Sequence, residues 1–178
     1  NGAIFRSEYD DKQESILIPV DLSNVATVVR NASSLEMTGL ELEVMYQVSE
    51  AWDVMATYGY LKSEYDNYIA DLTGDGIITD NSALVPRNTP ENTFGLTTSY
   101  TAQIGNGDLK ARVSYRYRGA LETESQNNPL GHLGSINNVN ANISYTMNNY
   151  SVSVWGKNIT DEREQRWSTI GGLTSRGW

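Results

Sequence analysis

The sequence predicts an all-β fold, namely a fragment of an antiparallel up-and-down transmembrane β-barrel with about seven strands, short periplasmic turns and long extracellular loops. Three observations predict it. Apolar and polar residues alternate with a period of two along several segments, the connections between segments alternate between short and long, and Tyr and Trp cluster near segment ends. No segment has the period of a helix, and no apolar run approaches the roughly 18 residues of a membrane helix.

The clearest alternation lies between Leu109 and Arg118. Up to Tyr117 its odd positions hold apolar or aromatic residues, whereas every even position holds Lys, Arg or Ser. Successive side chains of a strand point to opposite faces, so this segment has one apolar face and one cationic face. The same test predicts strands near residues 2–17, 27–48, 51–65, 91–103, 107–119, 136–147 and 149–159.

The strands from the second to the sixth each present an apolar face. In chain order these faces are Leu40, Leu42, Val44, Tyr46 and Val48; Trp52, Val54, Ala56, Tyr58 and Tyr60; Phe94, Leu96, Tyr100 and Ala102; Leu109, Ala111, Val113, Tyr115 and Tyr117; and Val139, Ala141, Ile143 and Tyr145. In the second strand Leu35 and Met37 have the opposite parity. This indicates either a bulge at Thr38–Gly39 or a strand that leaves the apolar zone, and we favour the second.

The connections favour a barrel over a soluble β-sandwich. Tight turns are predicted at 49–50, 105–107 and 148–149, whereas residues 66–90, residues 120–135 and the segment after Asn158 are long and polar. Transmembrane barrels alternate short and long connections in this way, and a Greek-key sandwich mixes them. The aromatic residues also suit two interfacial girdles, with Trp52 and Tyr150 by the short turns and Tyr60, Tyr115 and Tyr117 toward the long loops.

Composition excludes several classes of function. The net charge of -9 and the absence of a Lys/Arg stripe argue against a nucleic-acid partner. The chain has no Cys, which excludes disulfides, thiol catalysis and Cys-ligated zinc. The acids between Glu8 and Glu14 could suggest a carboxylate pair for hydrolysis, but strand geometry divides them between two faces. We therefore predict that the protein is not an enzyme.

Four segments carry a family resemblance. They are GAIFRSEYDDKQ at 2–13, VVRNASSLEMTGLELEV at 28–44, LVPRNTPENTFGL at 84–96 and VWGKNITDERE at 154–164. Together they resemble the C-terminal part of the β-barrel of TonB-dependent outer-membrane receptors, over essentially the whole chain. The family usually has Tyr where Glu164 stands here. The resemblance implies a bacterial outer-membrane location and a 22-stranded barrel around an N-terminal plug that meets the TonB complex.

The segment Asn158 to Asp161 predicts where the last strand ends. Asn, Thr and Asp side chains bond their own backbone and can cap a strand that leaves the lipid. Residues 160–178 hold no further alternating run. We therefore expect residues 1–178 to be a truncated barrel piece, without the plug, the N-terminal strands and the last strand.

The resemblance implies TonB-dependent uptake of a scarce ligand, and a ferric siderophore or similar iron chelate fits best. Haem, cobalamin and glycans are further family ligands. The alternatives are a passive porin-type barrel and a soluble glycan-binding β-sandwich module. The expected partners are the outer-membrane lipid bilayer, the TonB complex through the absent plug, and a small anionic ligand.

Four residues form the candidate ligand site. Arg116 and Arg118 lie on the cationic face near the outer mouth, and the last strand should bring Trp155 and Lys157 to a comparable height. Guanidinium groups form charge-assisted bonds with carboxylate or catecholate oxygens. Pairing of these cations with carboxylates of a plug or a loop is the alternative.

Residues 71–82 resemble the start of a Ca²⁺-binding loop. Asp71, Thr73 and Asp75 would supply oxygen ligands, but Ser82 stands at the twelfth position where a bidentate acid is needed. We expect weak or no Ca²⁺ binding there, and no other cofactor.

Overall fold

The computed structural model describes residues 1–19 and 25–163, and its main feature is one sheet of antiparallel strands. We number the seven long strands in chain order. They are β1 Gly2–Pro19, β2 Val25–Ser49, β3 Trp52–Ala70, β4 Asn92–Ile104, β5 Gly107–Arg118, β6 Ile136–Met147 and β7 Tyr150–Gly156. The seven predicted strands are confirmed. No helix among the described residues is long and apolar enough to cross a membrane.

The strands form one meandering sheet. Each long strand pairs antiparallel with its neighbours in the chain, so the spatial order is β1 to β7 without a crossover. A Greek-key sandwich would break this order. Across the middle of the sheet Thr97 pairs with Ser114, and Ser114 pairs with Asn140. These three polar residues therefore lie in one row on the same face.

The opposite face is apolar and exposed. Val44, Ile143 and Val154 have 56%, 53% and 72% of their surface accessible. In residues 1–19 and 25–163 the other sheet has only two strands, and it lies in a loop. The apolar faces of the long strands therefore do not meet a second layer, and the soluble sandwich is wrong for this part of the chain.

We call the outward apolar band the lipid belt. It comprises the outward side chains of residues 40–48, 52–60, 94–102, 109–117, 139–147 and 150–156. About nine residues at about 3.3 Å each, tilted by about 40°, span roughly 23 Å. This height agrees with the roughly 25 Å apolar band of outer-membrane barrels.

Strands β1 to β3 continue beyond the lipid belt on the side of the long loops. Residues 66–70, which we expected in a loop, belong to β3, and Tyr68 pairs with Ser33 of β2. The extension is stabilised by a small buried cluster on its inner face. The cluster contains Leu35, Tyr65, Tyr68, Ala70 and Leu72, with Met37 and Leu84 packed against it.

The parity change at Leu35 and Met37 comes from this extension. Pairing with β3 runs without interruption from Met37 to Leu40, so no bulge interrupts it at Thr38–Gly39. Leu35 and Met37 point inward above the belt, as the favoured interpretation predicts. The register instead shifts next to Ser34 and, in β1, between Tyr9 and Lys12.

Gly39 allows the extended strands to approach closely. A Cβ atom at this position would lie 2.3 Å from Phe5 Cζ of β1 and 2.9 Å from the Tyr60 carbonyl oxygen of β3. Both distances are shorter than real carbon contacts. The absence of a side chain at Gly39 therefore leaves space for the Phe5 ring between the strands.

Two long loops connect the strands at the end opposite the tight turns. Loop A covers residues 71–91 and contains the short strand Thr79–Asp80. Loop B covers residues 119–135 and contains a hairpin of Leu121–Glu122 with His132–Leu133. The 3-10 turn Pro129–Gly131 lies between these two short strands, directly before His132. The alternation of short and long connections is confirmed for the described residues.

The chain leaves the sheet as the segment Asn158 to Asp161 predicts. Strand β7 ends at Gly156, and Asn158 adopts a positive φ of 50°. Its side-chain oxygen accepts a bond from the Glu162 amide at 3.0 Å, which caps the strand. Glu164 and the expectation of no further strand after it lie outside the described residues.

Candidate functional site

The predicted cationic wall lies on the inner face of the sheet. Arg116 stands between Gly95 of β4 and Asn138 of β6, and Arg118 stands between Thr93 and Ile136. Both arginines line a groove of about 730 Å³ on this face. The strand therefore holds two guanidinium groups on one wall at its loop-facing end, as its alternation predicts.

Trp155 and Lys157 lie on the same face but lower than expected. Trp155 pairs with Asn142, which in turn pairs with Arg112. It is level with Arg112 and hence four residues, or about 13 Å, below Arg116 along the strand. The error arose because Trp155 is only five residues beyond the start of β7, whereas Arg116 is nine residues beyond the start of β5.

The lower residues form a second recess. Lys157 Nζ lies 5.6 Å from the centroid of the Trp155 ring, a cation–π distance. Together with Arg112, Ser114 and Asn140 they line a recess of about 410 Å³, and Trp155 is 66% exposed. Arg112 was missed as a candidate, although its even position in the alternation already placed it on this face.

Charge is segregated across the inner face. Glu41, Glu43 and Asp53 occupy inner positions on β2 and β3, whereas the inner positions of β4 are Thr, Ser, Gly and Gln. These three acids are therefore at least two strands, or about 10 Å, away from β5. A chain of net charge -9 thus presents a local cationic wall.

Loop A uses its predicted metal-ligating residues as turn caps. The Asp71 carboxylate accepts bonds from the amides of Thr73, Gly74 and Gly76 at 3.1, 2.7 and 2.9 Å, and Asp75 accepts one from the Ile77 amide at 2.8 Å. Desolvation raises the pKa of Asp71, but these bonds outweigh it and hold the pKa below its usual range. The described residues contain no group of three or more acids or His that could hold a metal. The expectation of weak or no Ca²⁺ binding by Asp71, Thr73 and Asp75 stays a prediction.

A buried carboxylate above the lipid belt was missed. Glu14 of β1 has no accessible surface. Its oxygens accept bonds from Tyr65 Oη at 2.9 Å and Ser125 Oγ at 2.7 Å, form an ion pair with Lys12, and lie 3.6 Å from Arg87 Nε. We call these five residues the Glu14 cluster. It joins β1, β3, loop A and loop B.

The surroundings of Glu14 decide its charge. Burial raises the pKa of the carboxyl, but bonds from Lys12, Ser125 and Tyr65 outweigh burial and hold the pKa below its usual range. Burial also raises the pKa of neighbouring Tyr68 to about 12. Glu14 is therefore ionised and the tyrosine neutral at neutral pH. The stability that Glu14 contributes is present above the ordinary pKa of Glu and is lost only as pH falls through the lowered value.

Known proteins share this architecture. A model of the family described as TonB dependent receptor-like, beta-barrel, matches residues 1–159. The ferric yersiniabactin uptake receptor FyuA from Yersinia pestis aligns over 97% of this chain with a TM-score of 0.70 and 18% identity. The siderophore receptor PiuA from Acinetobacter baumannii aligns over 91% with a TM-score of 0.67 and 23% identity.

The chain corresponds to only part of those structures, covering 24% of the first and 22% of the second. At these identities the structural likeness shows the fold. The family match covers most of the chain and therefore assigns the family. This assignment overturns the two alternatives, a passive porin-type barrel and a soluble module. The chain therefore belongs to the TonB-dependent receptor-like β-barrels, a family of outer-membrane proteins that are not enzymes.

Proposed function

We propose that this chain forms part of the barrel of a receptor that takes up an anionic iron chelate, such as a ferric siderophore, across the outer membrane. In this proposal the TonB complex supplies energy through a plug domain of the full receptor, and the seven strands supply one side of the barrel wall. The observation that carries the ligand class is the groove lined by Arg116 and Arg118.

The chemistry of the wall suits such a ligand. Guanidinium groups form two-pronged, charge-assisted bonds with carboxylate and catecholate oxygens, and these bonds strengthen where water is restricted. Trp155 adds an exposed aromatic surface about 13 Å further down, with Lys157 beside it. An anionic chelate with flat aromatic groups would find charge at the upper groove and a stacking surface below it.

Contact with a plug or a loop is the alternative use of the same arginines. Carboxylates of a plug domain or of a loop would pair with them equally well, since an inner wall contacts whatever fills the barrel. This use predicts a structural effect of removing the charges, whereas ligand contact predicts an effect on affinity. One experiment separates the two.

In the full-length receptor, the double change Arg116→Gln and Arg118→Gln is expected to weaken binding of a ferric tris-catecholate by more than tenfold. Each charge-assisted bond contributes about 1.5–3 kcal/mol, and tenfold corresponds to about 1.4 kcal/mol. Quenching of tryptophan fluorescence measures the affinity. Heat-modifiable gel migration should show an unchanged amount of folded barrel.

Lys110→Gln is the matched control. Lys110 lies on the same strand and face but outside both recesses. It should leave the affinity within about twofold of the wild type. Unchanged affinity in the double variant, together with faster proteolysis of the plug, would assign the arginines to plug contacts and reject the proposed ligand contact.

A further inference from the structure

The Glu14 carboxylate holds together parts of the chain that are distant in sequence. Ser125 lies 111 residues from Glu14 and donates a bond of 2.7 Å to its Oε2. Arg87 Nε lies 3.6 Å from that same oxygen, and Tyr65 donates to Oε1. One buried carboxylate thus accepts hydrogen bonds from β3 and loop B and lies beside a positive charge of loop A.

The two loops also contact each other directly. The Asn127 side chain accepts a bond from the Val85 amide at 2.6 Å and donates one to the Val85 carbonyl at 2.8 Å. The Asn88 amide donates to the Glu122 carbonyl at 2.7 Å. Gln126 of loop B donates to the Leu72 carbonyl of loop A. Loops A and B therefore share an interface above the sheet.

The central anion makes this interface cooperative. A buried carboxylate is tolerated only while its charge and its oxygens are satisfied. Displacement of loop B removes the Ser125 bond, and displacement of loop A removes the Arg87 charge. Either movement leaves the remaining partners around an under-satisfied anion, which weakens the attachment of the other loop.

We propose that Glu14 couples loops A and B, so that they loosen and close together as one extracellular cap. The cap begins beside the cationic groove, because loop B starts at Gly119, directly after Arg118, and the Gly119 amide bonds the Asn92 carbonyl at the start of β4. Movement of the cap therefore changes access to the upper groove. The coupling itself is independent of the ligand.

Hydrogen exchange of the full-length receptor in outer-membrane lipid tests the coupling. Glu14→Gln keeps the shape of the side chain but removes the charge that pairs with Lys12 and Arg87. We expect amide exchange to rise at least about threefold in both loops, with belt peptides unchanged. Glu8→Gln is the control, since Glu8 lies on the same strand in an exposed ion pair with Arg6.

Ser125→Ala gives the sharper result and keeps the test valid if Glu14→Gln fails to fold. It removes only the bond from loop B, yet coupling predicts faster exchange in loop A as well. Faster exchange confined to loop B would overturn the proposal. Exchange in both loops equal to the Glu8→Gln control would overturn it too.

Discussion

Val113→Arg is expected to destabilise the folded barrel of the full-length receptor and to lower the fraction that reaches it. Val113 points outward at the middle of the lipid belt, between Thr98 of β4 and Ala141 of β6, and is 43% exposed. In lipid, Arg at the membrane midplane costs about 2–4 kcal/mol, which is a large part of a stability of about 5–15 kcal/mol. Leu96→Arg and Ala141→Arg should have similar effects. The folded fraction in outer membranes is measured by heat-modifiable migration.

Thr97→Arg is the matched control, and Asn140→Arg is a second one. Both positions are on the inner face, within one residue of Leu96 and Ala141 along their strands. An added Arg there meets polar neighbours and water, so the folded fraction should remain close to that of the wild type. Equal losses from the inner and outer substitutions would contradict the assignment of the outer face to lipid.

Residues 1–178, produced alone in water, are expected to aggregate or remain unfolded. The described sheet ends in β1 and β7, each paired on one side only, and its belt exposes apolar side chains along one whole face. Unpaired strand edges and uncovered apolar surface both promote association. Size-exclusion chromatography with light scattering measures the state of the chain.

The same chain with Val44, Val113 and Ile143 changed to Ser is a useful comparison. Lower belt hydrophobicity should reduce the aggregated fraction but not produce a folded monomer, because the edges remain open. A monomer that melts cooperatively in water, with the original belt, would contradict the membrane assignment and support an independent soluble domain.

The strand pattern was readable from the sequence where the belt imposes a strict period of two. Between Leu109 and Arg118 every side chain faces either lipid or lumen, so apolar and polar residue types alternate and identify the strand. The upper part of β3 was missed because it lies outside the lipid. There Tyr68 and Ala70 belong to a buried cluster, and alternation with a lipid face no longer applies.

Glu14 could not be assigned for a related reason. Between Tyr9 and Lys12 the register of β1 shifts against β2, and this shift turns Glu14 to the inner side. Asp11 has a positive φ of 52° in this irregularity. Counting alternate residues along the strand gives the wrong face beyond such a shift. The local sequence also contains no signal for a partner as distant as Ser125.

For the cationic wall, the sequence predicted the face of the side chains but not their relative heights. The face of Arg116 and Arg118 followed from parity alone, because β5 has no irregularity. The height of Trp155 did not follow from parity, because it depends on the number of residues between Trp155 and the turn that begins its strand. The folds of loops A and B depend on individual side-chain bonds, such as that of Asn127 to Val85, which have no period to detect.

Residues 109–118 allow the most direct measurement of whether this sheet is a wall between lipid and lumen. Residues 1–178 contain no Cys, so a single cysteine placed at each position is the only one in this part of the receptor. It can be spin-labelled in the full-length receptor in outer-membrane lipid, with any cysteine elsewhere replaced by Ser. Collisions with oxygen, which concentrates in the bilayer, should peak at 109, 111, 113, 115 and 117 and fall at every even position. A profile without this two-residue period, or with its maxima at Arg112, Ser114 and Arg116, would contradict the account.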